Sequence, residues 1–161
     1  MEQNRSILRF SYRHHAGLLF CWRVRQGLKR EGVILRVRKY VAYFWGNYFQ
    51  PLFKEEAQFL LQADDTMSRK ALGQHREIEA LVNQILNHDT APEAATFRQL
   101  ADAVNSHIRF EERELLPHLQ RVLGEAELAR IGAALAANRP AIFKDEYPDR
   151  FWTKSSTAYN P

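Results

Sequence analysis

The stretch FRQLADAVNSHIRFEERELLPHL, Phe97 to Leu119, places Phe97, Leu100, Val104, Ile108 and Leu115 at the spacing of one helical stripe. His107 and Glu111 lie on the same stripe, four residues apart and so one turn apart. The spacing therefore predicts an imidazole and a carboxylate on a buried face. A carboxylate in an apolar core is costly unless a cation or several hydrogen-bond donors meet it. This pair raises the question of what the neighbouring helices supply.

Outward from it, the chain reads as helices with no convincing strand. A first helix is predicted over about 5–30, ending at the Glu31–Gly32 break. A second runs over about 33–62 with Ile34, Val37, Val41, Phe44, Tyr48, Leu52 and Phe59 apolar, and Pro51 inside it should kink or loosen it. A turn at Ala63-Asp64-Asp65-Thr66, with Asp or Thr as cap, leads to a third helix over 67–87, carrying Leu72, His75, Ile78, Val82 and Ile85 on one stripe. The fourth is predicted from Pro92, which suits a first turn, to Leu123. Gly124 then separates off a shorter helix over 125–138, and beyond Pro140 the aromatic stretch IFKDEYPDRFWTKSSTAYNP reads as an irregular tail lying over the bundle or loosely ordered.

Four long amphipathic helices with short links predict an all-α, up-down four-helix bundle over 1–140, with a short extra C-terminal helix, followed by the tail 141–161. The composition, 45% hydrophobic and 26% charged over 161 residues, fits one globular domain with a sizeable core. A single cysteine, Cys21, excludes an internal disulfide and suits the cytoplasm. The N-terminus has no signal-peptide pattern and no segment is long and apolar enough to span a membrane. The net charge of +4 concentrates in Arg23, Arg25, Lys29, Arg30, Arg36, Arg38 and Lys39. Such a cluster either binds phosphates or forms a solvated helix end, and no nucleic-acid-binding motif accompanies it.

Each long helix places a histidine or glutamate on its buried stripe. The first offers His14 and His15, between which an arc of apolar residues on both sides does not choose. The second offers Glu56, the third His75 with Glu79 a turn later, and the fourth His107 and Glu111. Imidazoles and carboxylates on facing helices are what iron, manganese or zinc requires of a bundle core, and two carboxylates can bridge a metal pair. His88 and His118 are expected to be solvent-exposed, the first in a loop and the second just after Pro117.

These segments resemble the hemerythrin-like, or HHE cation-binding, family. HIRFEERELLPHL is similar to that family's fourth-helix His-x-x-x-Glu-Glu segment with its following proline, and QHREIEALV to its third-helix histidine segment. RHHAGLLFCWRVRQGLKR and GNYFQPLFKEEAQFLL resemble its first and second helices. The resemblance, over about 11–123, implies a non-haem iron pair with His14 or His15, Glu56, His75, His107 and Glu111 as ligands and the two glutamates bridging. It also implies a protein that binds or senses oxygen, nitric oxide or another diatomic. One departure follows: the resemblance puts histidine where this chain has Leu52, one turn before Glu56, and often another where it has Tyr48. Tyr48 as a phenolate ligand, a shift of the spare histidine, a mononuclear site or an empty one are the resulting expectations. No nucleophile–base pair or substrate cradle marks an enzyme. A metal-free interaction module acting through the basic 23–39 segment is the alternative function.

Overall fold

A computed structural model describes residues 5–59, 61, 65–138 and 143–153. Among these there is no strand, and no helix is long and apolar enough to cross a membrane. Helix α1 spans Arg5–Leu28, α2 Ile34–Phe44, α3 Gln50–Phe59, α4 Thr66–Leu86, α5 Ala94–Phe110 and α6 Leu116–Asn138. Two π-helical turns, Trp45–Phe49 and Glu111–Leu115, join α2 to α3 and α5 to α6 without a break. The helices therefore form four columns: α1, α2 with α3, α4, and α5 with α6.

Sequence chemistry explains the joints. Each π-helical turn ends two residues before a proline, Pro51 or Pro117, which can donate no backbone hydrogen bond. The amides of Gln50 and Leu116 reach back five residues, to the carbonyls of Trp45 and Glu111. The wider turn makes room for the proline ring, the local loosening that Pro51 was expected to bring as one of its two outcomes. Gly32, at φ 74°, turns the chain between α1 and α2, and Gly124, at φ 74° and ψ 169°, kinks α6 into two helical segments, at the place where a separate shorter helix was expected to begin.

At the start of α4 the Asp65 carboxylate accepts from the Ser68 amide at 2.8 Å, the capping role expected of Asp or Thr there. Helix α5 begins at Ala94, after Pro92 rather than with it. The expected turn residues Ala63 and Asp64, the boundary at Pro140, tail residues 154–161 and the side chains of Ile7, Leu8, Phe10 and Tyr12 lie outside what is described.

Helix α1 packs along α5 and meets α2 and α6, while α4 packs along α5 and touches α2, and α3 lies against α6. Two apolar clusters result. The larger joins α1, α2, α4 and α5 around Phe20, Tyr40, Phe44, Phe97 and Leu100. The smaller gathers Leu61, Ala71, Phe110, Leu116, Leu119 and Leu128 towards α6.

Residues 143–153 of the tail lie over the bundle and complete the larger cluster. Phe151 is fully buried, and a Cβ on Gly27 would come within 2.7 Å of its ring, so only glycine lets α1 accept it. Arg23 pairs with Asp145 at 2.8 Å and stacks 4.0 Å over Trp152, while the Tyr40 hydroxyl donates to Asp145. Arg36 grips Asp149 through two nitrogens at 2.9 and 2.5 Å, and Arg25 meets Asp102 at 2.7 Å. Three arginines of the basic segment thus pair with carboxylates elsewhere in the chain, a use that the sequence spacing did not indicate.

Candidate metal centre

Between the two apolar clusters lies a layer of buried polar side chains. Glu56 of α3, His75 of α4, His107 of α5 and Glu111 of the following π-helical turn are all buried, at 1%, 7%, 3% and 3% exposure. One ligand atom from each lies within 4.8 Å of all the others. The i,i+4 step from His107 to Glu111 brings Nε2 and Oε1 to 2.7 Å, and His75 Nε2 stands 2.8 Å from Glu56 Oε2 and 3.9 Å from Glu111 Oε1. Phe53 stacks on His75 with ring centroids 4.0 Å apart and meets His107 edge-on, which fixes both rings.

The first helix resolves its own ambiguity. His14 points inward at 2% exposure, with Nε2 at 2.6 Å from Glu111 Oε2 and Nδ1 at 3.0 Å from Glu112 Oε1. His15 is exposed and does not join the group. Tyr48 is buried, but its hydroxyl donates to the Arg13 carbonyl. Burial and the nearby Glu56 and Glu111 hold that phenol well above its ordinary pKa, which disfavours the phenolate a metal needs. Leu52 is buried one turn before Glu56. Glu79 is exposed, as is His88, whereas His118 is half-buried and pairs with Asp65 at 3.0 Å. Of the aromatic and sulfur side chains around the bundle, Cys21 is buried against the Ala101 carbonyl with its thiol pushed up to about 12 by burial, and Trp22 is exposed.

Whether these residues suit a cation is tested by their lone pairs. His107 Nε2 and Glu111 Oε1 are completely buried and sit 2.7 Å apart, without a well-aligned hydrogen bond between them. A buried imidazole nitrogen and carboxylate oxygen that converge in this way can be bridged by a proton or by a common cation. The other nitrogen of His107 suits this: Nδ1 lies 2.6 Å from Gln74 Oε1, and an N–H donated there would leave Nε2 to face a cation. Gln74 was not singled out in the sequence, since it sits beside the apolar stripe rather than on it. Gln74→Leu is expected to weaken metal affinity roughly 10- to 100-fold while leaving the fold intact, as read by titration calorimetry and circular dichroism. An unchanged affinity would remove Gln74 from the site.

Electrostatics of the metal-free protein point the same way. Burial would lower the pKa values of His14 and His75, but the adjacent carboxylates outweigh it and raise both to about 9. For Glu111 burial is outweighed by His107, His14 and His75, which hold it well below the usual range, while burial and Glu111 push Glu56 up. In the absence of metal, protons do the work of a cation. A histidine bound more tightly to its proton when folded contributes stability that is complete below pH 6.5 and is lost as pH rises through about 9. The raised Glu56 acts in the same sense. The metal-free protein is therefore expected to lose several degrees of melting temperature between pH 6.5 and 9, and metal loading should largely abolish that slope. Equal slopes with and without metal, in thermal scans, would refute the link.

Two grooves approach the site from outside. One of about 610 Å³ between α4 and α5 reaches Gln74 and His107, and one of about 270 Å³ beside α3 and α4 reaches Phe53 and His75. No family model, characterised protein or solved structure matches this chain.

Proposed function

We propose that this chain is a hemerythrin-like metal-binding protein that holds non-haem iron in its core and binds or senses oxygen, nitric oxide or another diatomic. In this reading the four helical columns alternate in direction as an up-down bundle, with a short extra C-terminal helix after Gly124. The observation that carries it is the convergence of Glu56, His75, His107 and Glu111 from three columns, with His107 Nε2 and Glu111 Oε1 completely buried 2.7 Å apart.

A set of two imidazoles and two carboxylates suits iron, manganese or zinc. The resemblance of the helix motifs turns that choice to iron, which would supply the electrons for binding a diatomic. Burial supports a small ligand. The donors are at most 7% exposed, so the grooves reach only the edges of His107 and His75, a narrow approach that favours a small ligand. The neighbouring side chains orient the donors: Gln74 meets His107 Nδ1, Phe53 stacks on the His75 ring, and His14 meets Glu111.

The basic segment favours this reading over a metal-free interaction module, since Arg23, Arg25 and Arg36 are committed to Asp145, Asp102 and Asp149. The test is metal content by inductively coupled plasma mass spectrometry, on protein purified without chelator and again after anaerobic ferrous reconstitution. Its absorption spectrum is then followed as air or nitric oxide is admitted. Bound iron with a spectrum that responds to the gas is the expected result. No bound metal after reconstitution overturns the proposal.

A further inference from the structure

We infer that the core takes one metal ion per chain, not two, held by Glu56, His75, His107 and Glu111, with His14 as a partner of Glu111 outside the coordination set. This rests on the metal-binding reading above and narrows it. Three independent observations lead there.

The first is the compactness of the donors. Nitrogen and oxygen ligands sit about 2.0–2.2 Å from a transition metal, so two donors on opposite sides of one ion are about 4.2 Å apart. The four donor atoms lie within 4.8 Å of one another, a span that one ion closes with a shift of a few tenths of an ångström. A metal pair, with its ions about 3.5–4 Å apart, spreads its terminal donors over a longer distance.

The second is the supply of further donors. A second ion would need terminal donors of its own. The α3 position one turn before Glu56 is Leu52, buried and without a donor atom. Tyr48, a further turn back, has its hydroxyl committed to the Arg13 carbonyl. His14, with Nε2 at 2.6 Å from Glu111 Oε2 and Nδ1 at 3.0 Å from Glu112 Oε1, offers a single imidazole, too little to hold a second ion. Among the described residues nothing else completes a second coordination set.

The third is charge. Glu56 and Glu111 carry two negative charges into the core, which one divalent ion neutralises. A second divalent ion would leave two positive charges uncompensated in a buried layer. The next acids do not answer them: Glu55 holds Arg13 at 2.6 Å, and the Glu112 side chain is 42% exposed to water.

The Leu52→His variant supplies the absent donor. The experiment titrates wild type and this variant anaerobically with ferrous ion, desalts, and counts ions per chain by native mass spectrometry. Cobaltous ion is then used as a paramagnetic probe. Wild type is expected to saturate at one ion, with the electron paramagnetic resonance signal of an isolated cobalt. Leu52→His is expected to reach two ions, with that signal diminished by coupling. Two ions in wild type overturn this inference and leave the metal-binding proposal standing. No ion in wild type overturns both. A correctly folded Leu52→His variant that stays at one ion overturns the assignment of Leu52 as the limiting residue.

Discussion

Glu111→Ala is expected to leave the protein without bound metal. Glu111 is the side chain on which the polar layer converges, 2.6 Å from His14, 2.7 Å from His107 and 3.9 Å from His75. Alanine removes one of four donors and one of the two charges that compensate the ion, so the affinity loss should exceed the roughly 100-fold typical of an outer hydrogen-bond partner. The metal-free protein should suffer as well. Breaking a buried ion pair by deleting one member costs about 3–5 kcal/mol, because the remaining charge keeps its desolvation without its partner. Here three histidines lose the same anion. Mass-spectrometric metal content reads the first effect and thermal unfolding of the metal-free variant reads the second. Full metal occupancy in Glu111→Ala would place the site elsewhere. Glu111→Gln, which keeps the volume, separates loss of charge from loss of packing.

The second large effect lies at the other end of the molecule. Phe151→Ala is expected to destabilise the fold by about 3–5 kcal/mol, the cost of emptying a fully buried aromatic site. For a domain of this size that corresponds to a fall of about 10 °C in melting temperature. Phe151 fills the space left by Gly27 and packs edge-on against Tyr40 at 5.2 Å, so the cavity would open beneath the whole strap of residues 143–153. Its ion pairs would not hold it alone, since pairs such as Arg36 with Asp149 are partly solvated and individually weak. Limited proteolysis should then cut the strap early. A variant that melts with the wild type would show that the tail contributes nothing to the core.

Much of this site is legible in the sequence because helical periodicity is a local property. His107 with Glu111, and His75 with Ile78 and Val82, announce a buried stripe through spacing alone, and the structure brings those donors together with Glu56. Glu79 shares that reading and fails it, because one further turn along α4 carries it out of the layer to the solvent. His14 and His15 could not be separated, since α1 is apolar over a wide arc and the inward direction is set by α5. The two prolines were visible, but the π-helical turns that absorb them were not, as they depend on the backbone's freedom to reach back one residue further. The partners of Arg23, Arg25 and Arg36 lie between 77 and 122 residues away in sequence, beyond any local pattern. The tail's aromatic residues have no period at all, so their burial could be read only once Gly27 and Tyr40 were seen beneath them.

The division of the interior into two apolar clusters with a polar layer between them bears on how the molecule opens. Because the layer between them is polar, each cluster is expected to open with its own free energy, coupled to the other through the buried ion pairs. The cluster near α6, smaller and lacking the strap, is the one to exchange its amide hydrogens first. A cation gripping side chains from α3, α4 and the α5–α6 column would tie the two units across that layer. Metal occupancy would then be legible far from the ion itself, as slower amide exchange in α6, and the protein would carry news of its cofactor to its own distal end.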